Sequence, residues 1–178
     1  MLSSRPALLL AMALAASNPA VADQAPVTSV PAVDLARYVG KWYEIAAFPM
    51  YFQRHCVGDT TAEYTLRPDG EVTVDNRCRT ASSGERATGR AWTIEGTGNA
   101  QLKVSFFWPF RSDYWIIGLD EAYRWAVVGN PNRKYLWILS RTPQLPPAEL
   151  ERALAAARAQ GYDTAGLVFT RHTDAAGQ

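Results

Sequence analysis

The side chains best suited to nucleophilic or metal chemistry are two cysteines, Cys56 and Cys78, and two histidines, His55 and His172. Only a thiolate attacks an electrophile, so Cys78 is a candidate nucleophile only while it stays free. The histidines lie in separate regions and form no pattern typical of a metal site or an acid–base pair. We therefore expect no metal and no cofactor, and keep an enzyme acting through Cys78 as the alternative to a non-enzymatic protein.

A second group of candidate functional residues is apolar rather than reactive. The stretch YVGKWYEIAAFPMYFQRHC runs from Gly40 and Trp42 through a short apolar strand into a connection that contains Phe48, Tyr51 and Phe52. Large apolar side chains in an exposed connection forfeit the free energy of burial. They indicate a surface that packs on something, whether another part of the chain, a second protein, a membrane or a ligand.

The composition is that of an ordinary globular chain. Its 178 residues are 48% hydrophobic and 20% charged and contain no internal repeat, which fits one domain with a substantial core. The formal net charge is +1 and no basic stripe is present, so nucleic acid is not an expected partner.

The N-terminus is typical of a secretory signal peptide over residues 1–22. Arg5 precedes an apolar run, and Ala20 and Ala22 form a small-x-small cleavage site. We then expect a flexible leader (23–33), one domain (34–172) and a disordered tail (173–178). No cysteine lies near the cleavage site, so we expect no lipid attachment there. The predicted protein is exported and soluble, periplasmic or secreted, and able to associate with the outer membrane.

The elements that would position the candidate residues are mostly strands. Apolar or alternating segments recur about every ten residues between turn residues, with no helix among them. Counting the segment around Trp42 there are eight, which predicts an all-β fold, an eight-stranded antiparallel up-and-down barrel. The last strands are apolar on both faces, and residues 146–161 predict an amphipathic helix that covers them from outside. A short ninth strand (166–172) follows.

An up-and-down path assigns each connection to one end of the barrel. Cys56 begins the second strand and Cys78 ends the third at the same end, so we expect a disulfide between them. Trp42 and Arg141 meet at the opposite end, where a guanidinium stacked on an indole is worth about 1–2 kcal/mol when partly desolvated. We interpret this pair as the floor of the barrel.

The loop-rich end gathers aromatic and basic residues that form the expected rim. The aromatic members suit a lid, a dimer contact, a membrane or the exposed end of a ligand. With Arg54, His55 and Lys134, the basic members suit a carboxylate or phosphate head group, although charges on loops are often only solvated. The expected rim residues are Phe48, Tyr51, Phe52, Trp108, Phe110, Arg111 and Arg133.

Three motifs resemble the signature regions of the lipocalin family. They are GKWYE at 40–44, DEAY at 120–123, and Arg141 within YLWILSRTP. From Val33 to about Arg171 the chain is most similar to the bacterial lipocalin and apolipoprotein D branch. The resemblance implies a calyx, open at one end, that binds a fatty acid or lysophospholipid for storage, transport or membrane maintenance. Within these motifs we interpret as structural Gly40, Trp42, Asp120, Tyr123 and Arg141.

The resemblance also implies that Tyr64, Asn76 and Trp137 face the cavity. Such aromatic residues could simply fill a solid core. However, the Asn76 amide and the Tyr64 hydroxyl would each cost about 1–3 kcal/mol if unsatisfied in a dry core, so we expect a hollow interior. Four more aromatic residues are expected to line it: Trp92, Phe106, Trp115 and Trp125.

Three functions remain open at this level. The first is a lipid-binding carrier, which we expect. The second is a lipocalin-fold enzyme acting on a lipid-like substrate through Cys78. The third is an interfacial module whose rim binds a partner protein. The sequence does not decide between a monomer and a homodimer.

Overall fold

The computed structural model describes residues 24–173, so the expected signal peptide lies outside the described chain. These residues form one antiparallel sheet of nine strands, two α-helices and two short 3-10 helices, Tyr51–Gln53 and Thr164–Gly166. The α-helices are α1, Leu35–Tyr38, and α2, Pro147–Ala159. The strands are β1 (Gly40–Ala47), β2 (Gly58–Leu66), β3 (Val72–Arg79), β4 (Gly84–Thr93), β5 (Gln101–Ser105), β6 (Ser112–Leu119), β7 (Trp125–Gly129), β8 (Leu136–Ser140) and β9 (Val168–Phe169).

Eight strands close into a barrel, as the sequence predicts. Consecutive strands pair from β2 through to β8, and β1 completes the ring by pairing with β8 on one side and β2 on the other. The β1–β2 pairing covers only residues 40–43 of β1, after which β1 pairs with β9. The wall is therefore continuous near the closed end and has a seam between β1 and β2 near the open end.

Apolar side chains form two clusters, one inside the barrel and one between the barrel and α2. Trp42 and Val128 belong to the interior cluster, whereas the neighbouring Val127 faces α2 and packs with its buried Ala153 and Ala157. The last strands are apolar on both faces because each face has its own core. Within residues 24–173, no helix has the length and apolar character needed to cross a bilayer.

The closed end is built around α1, a short helix that the sequence analysis did not predict. Asp34 caps it, its carboxylate accepting a hydrogen bond from the Ala36 N–H at 2.9 Å. Tyr38, the last residue of α1, is buried, and its carbonyl accepts a 2.8 Å hydrogen bond from the indole Nε1 of Trp42. Trp42 itself is 0% exposed.

Arg141 covers Trp42 from outside, and the expected stacking is present. The guanidinium carbon lies 3.8 Å from the centroid of the indole ring. Gly40 has φ +94°, a conformation that favours glycine, and a Cβ there would lie 3.4 Å from Arg141 Nη1. The guanidinium N–H groups donate to five carbonyl oxygens at 2.6–3.4 Å, those of Arg37, Tyr38, Val39, Lys41 and Tyr123.

The β6–β7 turn joins this closed end through Asp120 and Tyr123. The Asp120 carboxylate accepts hydrogen bonds from the Ala122 and Arg124 N–H groups and from the Arg124 guanidinium, which lowers the pKa of this carboxyl group. Tyr123 adopts φ 61°, and its hydroxyl oxygen accepts a 2.9 Å hydrogen bond from the Asp34 N–H. The turn is thereby tied to the cap of α1.

Residues 24–33 are packed against the barrel, which differs from the expected flexible leader. Val27 is 5% exposed and lies in the cluster beneath α2. The Val30 N–H donates to the Ile116 carbonyl and the Val33 N–H to the Gly98 carbonyl, both at 2.8 Å. Val27 joins the cluster beneath α2, whereas Val33 belongs to the interior cluster and Val30 packs against it, so this stretch is part of the folded domain.

The seam between β1 and β2 is filled by residues 170–173, which we call the strap. The Thr170 N–H donates to the Ile45 carbonyl of β1, and the Asp59 N–H of β2 donates to the Arg171 carbonyl. Glu44 of β1 also contacts the strap: its carboxylate accepts hydrogen bonds from Thr170 Oγ1 at 2.6 Å and from Gln53 Nε2 at 3.0 Å. The strap therefore closes the wall where strand pairing stops.

Replacing Arg141 by lysine should destabilise the protein by about 2–3 kcal/mol, because an ammonium has fewer donors and does not stack as a planar group. Urea unfolding of Arg141→Lys measures this. The control is Arg67→Lys in the β2–β3 turn, an exposed arginine paired only with Asp69, which should change stability by less than about 0.5 kcal/mol. Equal effects of the two substitutions would contradict the role assigned to Arg141.

Replacing Glu44 by glutamine should change how stability depends on pH. Glu44 is 7% exposed and has no cation within ion-pair distance among residues 24–173, and burial raises the pKa of its carboxyl group above the ordinary 4.5. Above pH 4.5 the unfolded chain ionises Glu44 while the folded protein retains the proton, so the wild type loses stability as pH rises until the raised pKa is passed.

The Glu44→Gln variant should therefore gain stability relative to the wild type as the pH rises above the ordinary carboxyl pKa of 4.5, until the raised pKa of the folded protein is passed, as measured by urea unfolding over a series of pH values. Glutamine can keep the Thr170 bond, and its N–H can donate to Gln53 Oε1, which is buried without a partner within residues 24–173. A stability difference that stays constant with pH would show that Glu44 ionises normally in the folded state.

Candidate functional site

The upper half of the barrel interior is open to solvent. On β4 the inward positions are Glu85, Ala87, Gly89 and Ala91, since Ala91 belongs to the interior cluster and side chains alternate along a strand. Glu85 and Ala87 are exposed, whereas Gly89 and Ala91 are buried. Solvent therefore reaches inside the barrel as far as the level at which Ala87 pairs with Asn76.

Below this level the interior is closely packed around three tyrosines. The hydroxyl of Tyr114 lies 2.8 Å from that of Tyr38 and 2.9 Å from that of Tyr64, and we call this row the tyrosine chain. A void of only about 10 Å³ remains beside it, walled otherwise by valine, leucine and alanine side chains. Burial raises the pKa of Tyr64 to about 12 and those of Tyr38 and Tyr114 well above the ordinary value. All three hydroxyls are hydrogen-bond donors at neutral pH.

Four of the predicted cavity residues share this interior. Tyr64 lies in the interior cluster, and Phe106 and Trp137 pack against it. The ring of Phe106 would lie 2.8 Å from a Cβ at position 89, so glycine at 89 makes room for it. Asn76 faces inward at the solvent boundary, and its amide oxygen is buried without a hydrogen-bond partner in the described chain.

Three tryptophans predicted to line the cavity lie outside the barrel instead. Trp125 is buried in the cluster beneath α2, and Trp115 packs against that cluster. Trp92 pairs across the strands with Lys103 on the outer wall, where the Arg111 guanidinium lies 5.5 Å from its ring. Strands β6 and β7 are apolar on both faces, and the inward neighbour of Trp92 on β4 is the small Ala91. Choosing the larger side chain as the inward one therefore gives the wrong face.

Exposed aromatic side chains crowd the open end. Arg54 stacks on Tyr51 at 4.0 Å and Arg111 on Trp108 at 4.7 Å. Phe107, which the sequence analysis left out of the rim, is as exposed as its neighbours. These side chains, which we call the aromatic rim patch, are Tyr51 (77% exposed), Phe52 (59%), Phe107 (77%), Trp108 (73%) and Phe110 (76%).

Two predicted rim residues turn away from the opening. Phe48 packs on Tyr162 with ring centroids 6.1 Å apart, beside the cluster beneath α2. Arg133 donates from Nε to the Gln160 carbonyl at 2.7 Å and from Nη2 to the Ala25 carbonyl. Both residues follow a strand at the open end, but their loops bend outward, so they fix α2 and the N-terminal segment to the barrel.

The predicted disulfide is confirmed, joining Cys56 to Cys78 with a Cα–Cα distance of 5.6 Å. It ties the rim loop before β2 to the end of β3. With a sequence separation of 22 residues, loop-closure entropy predicts a stabilisation of about 3 kcal/mol. Neither sulfur is a free thiol, so Cys78 cannot act as a nucleophile in this state.

A concavity of about 620 Å³ lies on the outer wall of the barrel. Lys41, Tyr43, Arg77, Arg79 and His172 are among the residues that line it, together with the loop between β3 and β4. Its charged and hydroxyl-bearing lining does not offer the continuous apolar surface that a hydrocarbon chain needs. The solvent-filled upper barrel above an apolar floor is therefore the better candidate site for an amphiphile.

Comparisons with known proteins agree with this arrangement. Residues 33–172 match the family model described as a lipocalin-like domain. The chain is 41% identical over 147 residues to the outer membrane lipoprotein Blc of Escherichia coli K12, covering 82% of each protein, and 34% identical over 123 residues to apolipoprotein D of Bos taurus, covering 64% of each. The structure of insecticyanin from Manduca sexta superposes with a TM-score of 0.69 at 21% identity, covering 85% of this chain and 87% of that one. The chain thus belongs to the lipocalin family, in the branch that contains bacterial Blc and apolipoprotein D.

Proposed function

We propose that this protein binds and carries a fatty acid or lysophospholipid in the cell envelope, with the acyl chain in the barrel. The observation that carries the proposal is the solvent-accessible upper interior, which ends on an apolar floor and opens at the aromatic rim patch. Burial of an acyl chain contributes about 0.8 kcal/mol per methylene, so ten methylenes give about 8 kcal/mol before ordering costs. Such affinity requires no specific head-group contact.

The relatives support an envelope location. The name of the Escherichia coli relative describes an outer membrane lipoprotein. The signal-peptide pattern around Arg5, Ala20 and Ala22 supports export of the present chain by the same general route. We therefore place the carrier in the periplasm or outside the cell, where it can serve membrane maintenance.

The alternative of a lipocalin-fold enzyme acting through Cys78 lacks its nucleophile, because that sulfur is bonded to Cys56. The alternative of a purely interfacial module does not explain why the interior is accessible to solvent below the rim. Native mass spectrometry of the protein from its own periplasm, followed by lipid extraction, tests the carrier directly. Protein that carries no lipid and binds no added fatty acid would refute it.

Replacing Trp137 by alanine should weaken fatty-acid binding by about tenfold or more, since this ring packs against the interior cluster beside the proposed chain. Its effect on thermal stability should be smaller than that of Trp42→Ala, for which about 3–5 kcal/mol is expected. Isothermal titration with a long-chain fatty acid measures the affinity. The control is Trp92→Ala on the outer wall, which should keep wild-type affinity; an unchanged Trp137→Ala affinity would contradict the proposed cavity.

We further propose that the aromatic rim patch contacts a membrane while lipid enters or leaves the barrel. Arg54 and Arg111 flank the exposed rings and suit anionic head groups. The double substitution Trp108→Ser and Phe110→Ser should reduce partitioning to phosphatidylglycerol-containing vesicles by about tenfold or more while fatty-acid affinity is kept. Vesicle sedimentation measures this.

The control for the vesicle experiment is Leu66→Ser, an exposed apolar residue at the closed end of the barrel. It should partition as the wild type does. Wild-type partitioning of the rim variant would rule out the membrane contact. If sedimentation without vesicles shows the wild type to be a dimer and the rim variant a monomer, the aromatic rim patch is instead a contact between two copies of the chain.

A further inference from the structure

The tyrosine chain has one more donor than the described residues can satisfy. Three hydroxyl groups carry three protons, and the chain contains two hydrogen bonds, Tyr38–Tyr114 and Tyr64–Tyr114. Whichever way the protons point, one O–H group has no acceptor within residues 24–173. The other side chains around the void are apolar and offer none: Leu35, Val39, Val72, Val74, Ala91, Leu102 and Val104. A buried donor without an acceptor is destabilising, so this hydroxyl is suited to an acceptor that enters from above.

One level nearer the open end, the same wall of the barrel carries a buried acceptor that lacks a donor within residues 24–173. The Asn76 amide oxygen is buried and accepts no hydrogen bond from the described residues. Tyr64 pairs with Val74 and Ala62 pairs with Asn76, so Tyr64 and Asn76 are diagonal neighbours on β2 and β3. Diagonal neighbours on one face of an antiparallel pair lie about 7–8 Å apart. A surplus donor and a surplus acceptor therefore face the same part of the interior from adjacent strands.

These two groups lie at the boundary between the solvent-filled and the packed halves of the interior. Asn76 pairs with Ala87, the last exposed inward position on β4, and Val74 beside Tyr64 pairs with the buried Gly89. A chain that enters from the rim must pass Asn76 before it meets the tyrosine chain. The part of the ligand that lies at this depth is removed from water. It must therefore provide partners for the surplus tyrosine O–H and for the Asn76 oxygen.

A polar ligand group is needed to satisfy them together. A methylene leaves both unmet, an ionised carboxylate is costly to bury, and a ketone is satisfied only if the Asn76 amide turns over so that its N–H faces the ligand. A hydroxyl accepts from the tyrosine and donates to Asn76. We propose that the tyrosine chain and Asn76 form a buried polar subsite that selects acyl chains carrying a hydroxyl group partway along their length. This inference rests on the proposed carrier function and names its ligand class more narrowly.

The test compares octadecanoic acid with octadecanoic acids hydroxylated at successive chain positions, each titrated calorimetrically into the intact protein. At the best-matched position the hydroxy acid should bind about tenfold tighter than the plain acid, the effect of one or two added neutral hydrogen bonds. Asn76→Leu removes the acceptor and should bring the hydroxy-to-plain affinity ratio close to one. Tyr64→Phe removes the hydroxyl on the neighbouring strand but leaves one surplus proton on the Tyr38–Tyr114 pair, so it should lower the ratio without abolishing the preference.

Each variant is judged by its own affinity ratio, so a general loss of affinity or stability does not mimic the result. Tyr43→Phe, which removes a hydroxyl on the outer wall beside Lys41, should keep the wild-type ratio. If no acid binds, the carrier function itself fails. If all acids bind equally, or if the full preference survives in both Asn76→Leu and Tyr64→Phe, the polar subsite is overturned and the carrier function stands.

Discussion

The Arg141 guanidinium determines whether this barrel has a floor. The carbonyls of Arg37, Tyr38 and Val39 lie where the chain leaves α1 and enters β1, and the described sheet pairing does not reach them. One planar cation with five N–H donors satisfies them together and covers the Trp42 ring at the same time. Because these carbonyls and the Trp42 indole N–H all have partners, the part of the floor around Trp42 can be rigid and dry. An interior that admits solvent at the other end depends on this seal.

The sequence predicts most of the fold because β2, β3 and β5 each have one wet face. Their alternation identifies the inward side, and the up-and-down path then places Cys56 beside Cys78 and Trp42 beneath Arg141. The same reasoning fails in β6 and β7, where α2 makes both faces apolar. Periodicity cannot show whether Trp115 or its neighbour Tyr114 faces the barrel interior, because that depends on where α2 packs. The four residues of α1 are too few for any helical period to be visible.

The candidate site is less predictable than the fold, for reasons that differ between its parts. Tyr64, Asn76 and Trp137 lie on strands whose inward side is set by register, and their side chains lie in the interior. Phe48 and Arg133 lie on loops, and their partners, Tyr162 and Ala25, come from distant parts of the chain. Local sequence carries no information about such contacts. The tyrosine chain combines α1, β2 and β6, so no single stretch reveals it.

One level of the barrel separates two different halves of the molecule. The β1–β2 pairing ends where Tyr43 meets Thr61, and the neighbouring pair Ala62–Asn76 marks the depth to which solvent enters. Below this level the wall is fully paired and the interior is packed; above it the strap and the buried Glu44 replace strand pairing and the interior is wet. A polar group well above the boundary is hydrated with or without ligand, and the wall of the void below it is largely apolar. In the proposed carrier, discrimination between ligands therefore arises at the boundary itself, because a ligand exchanges water for fixed protein partners there.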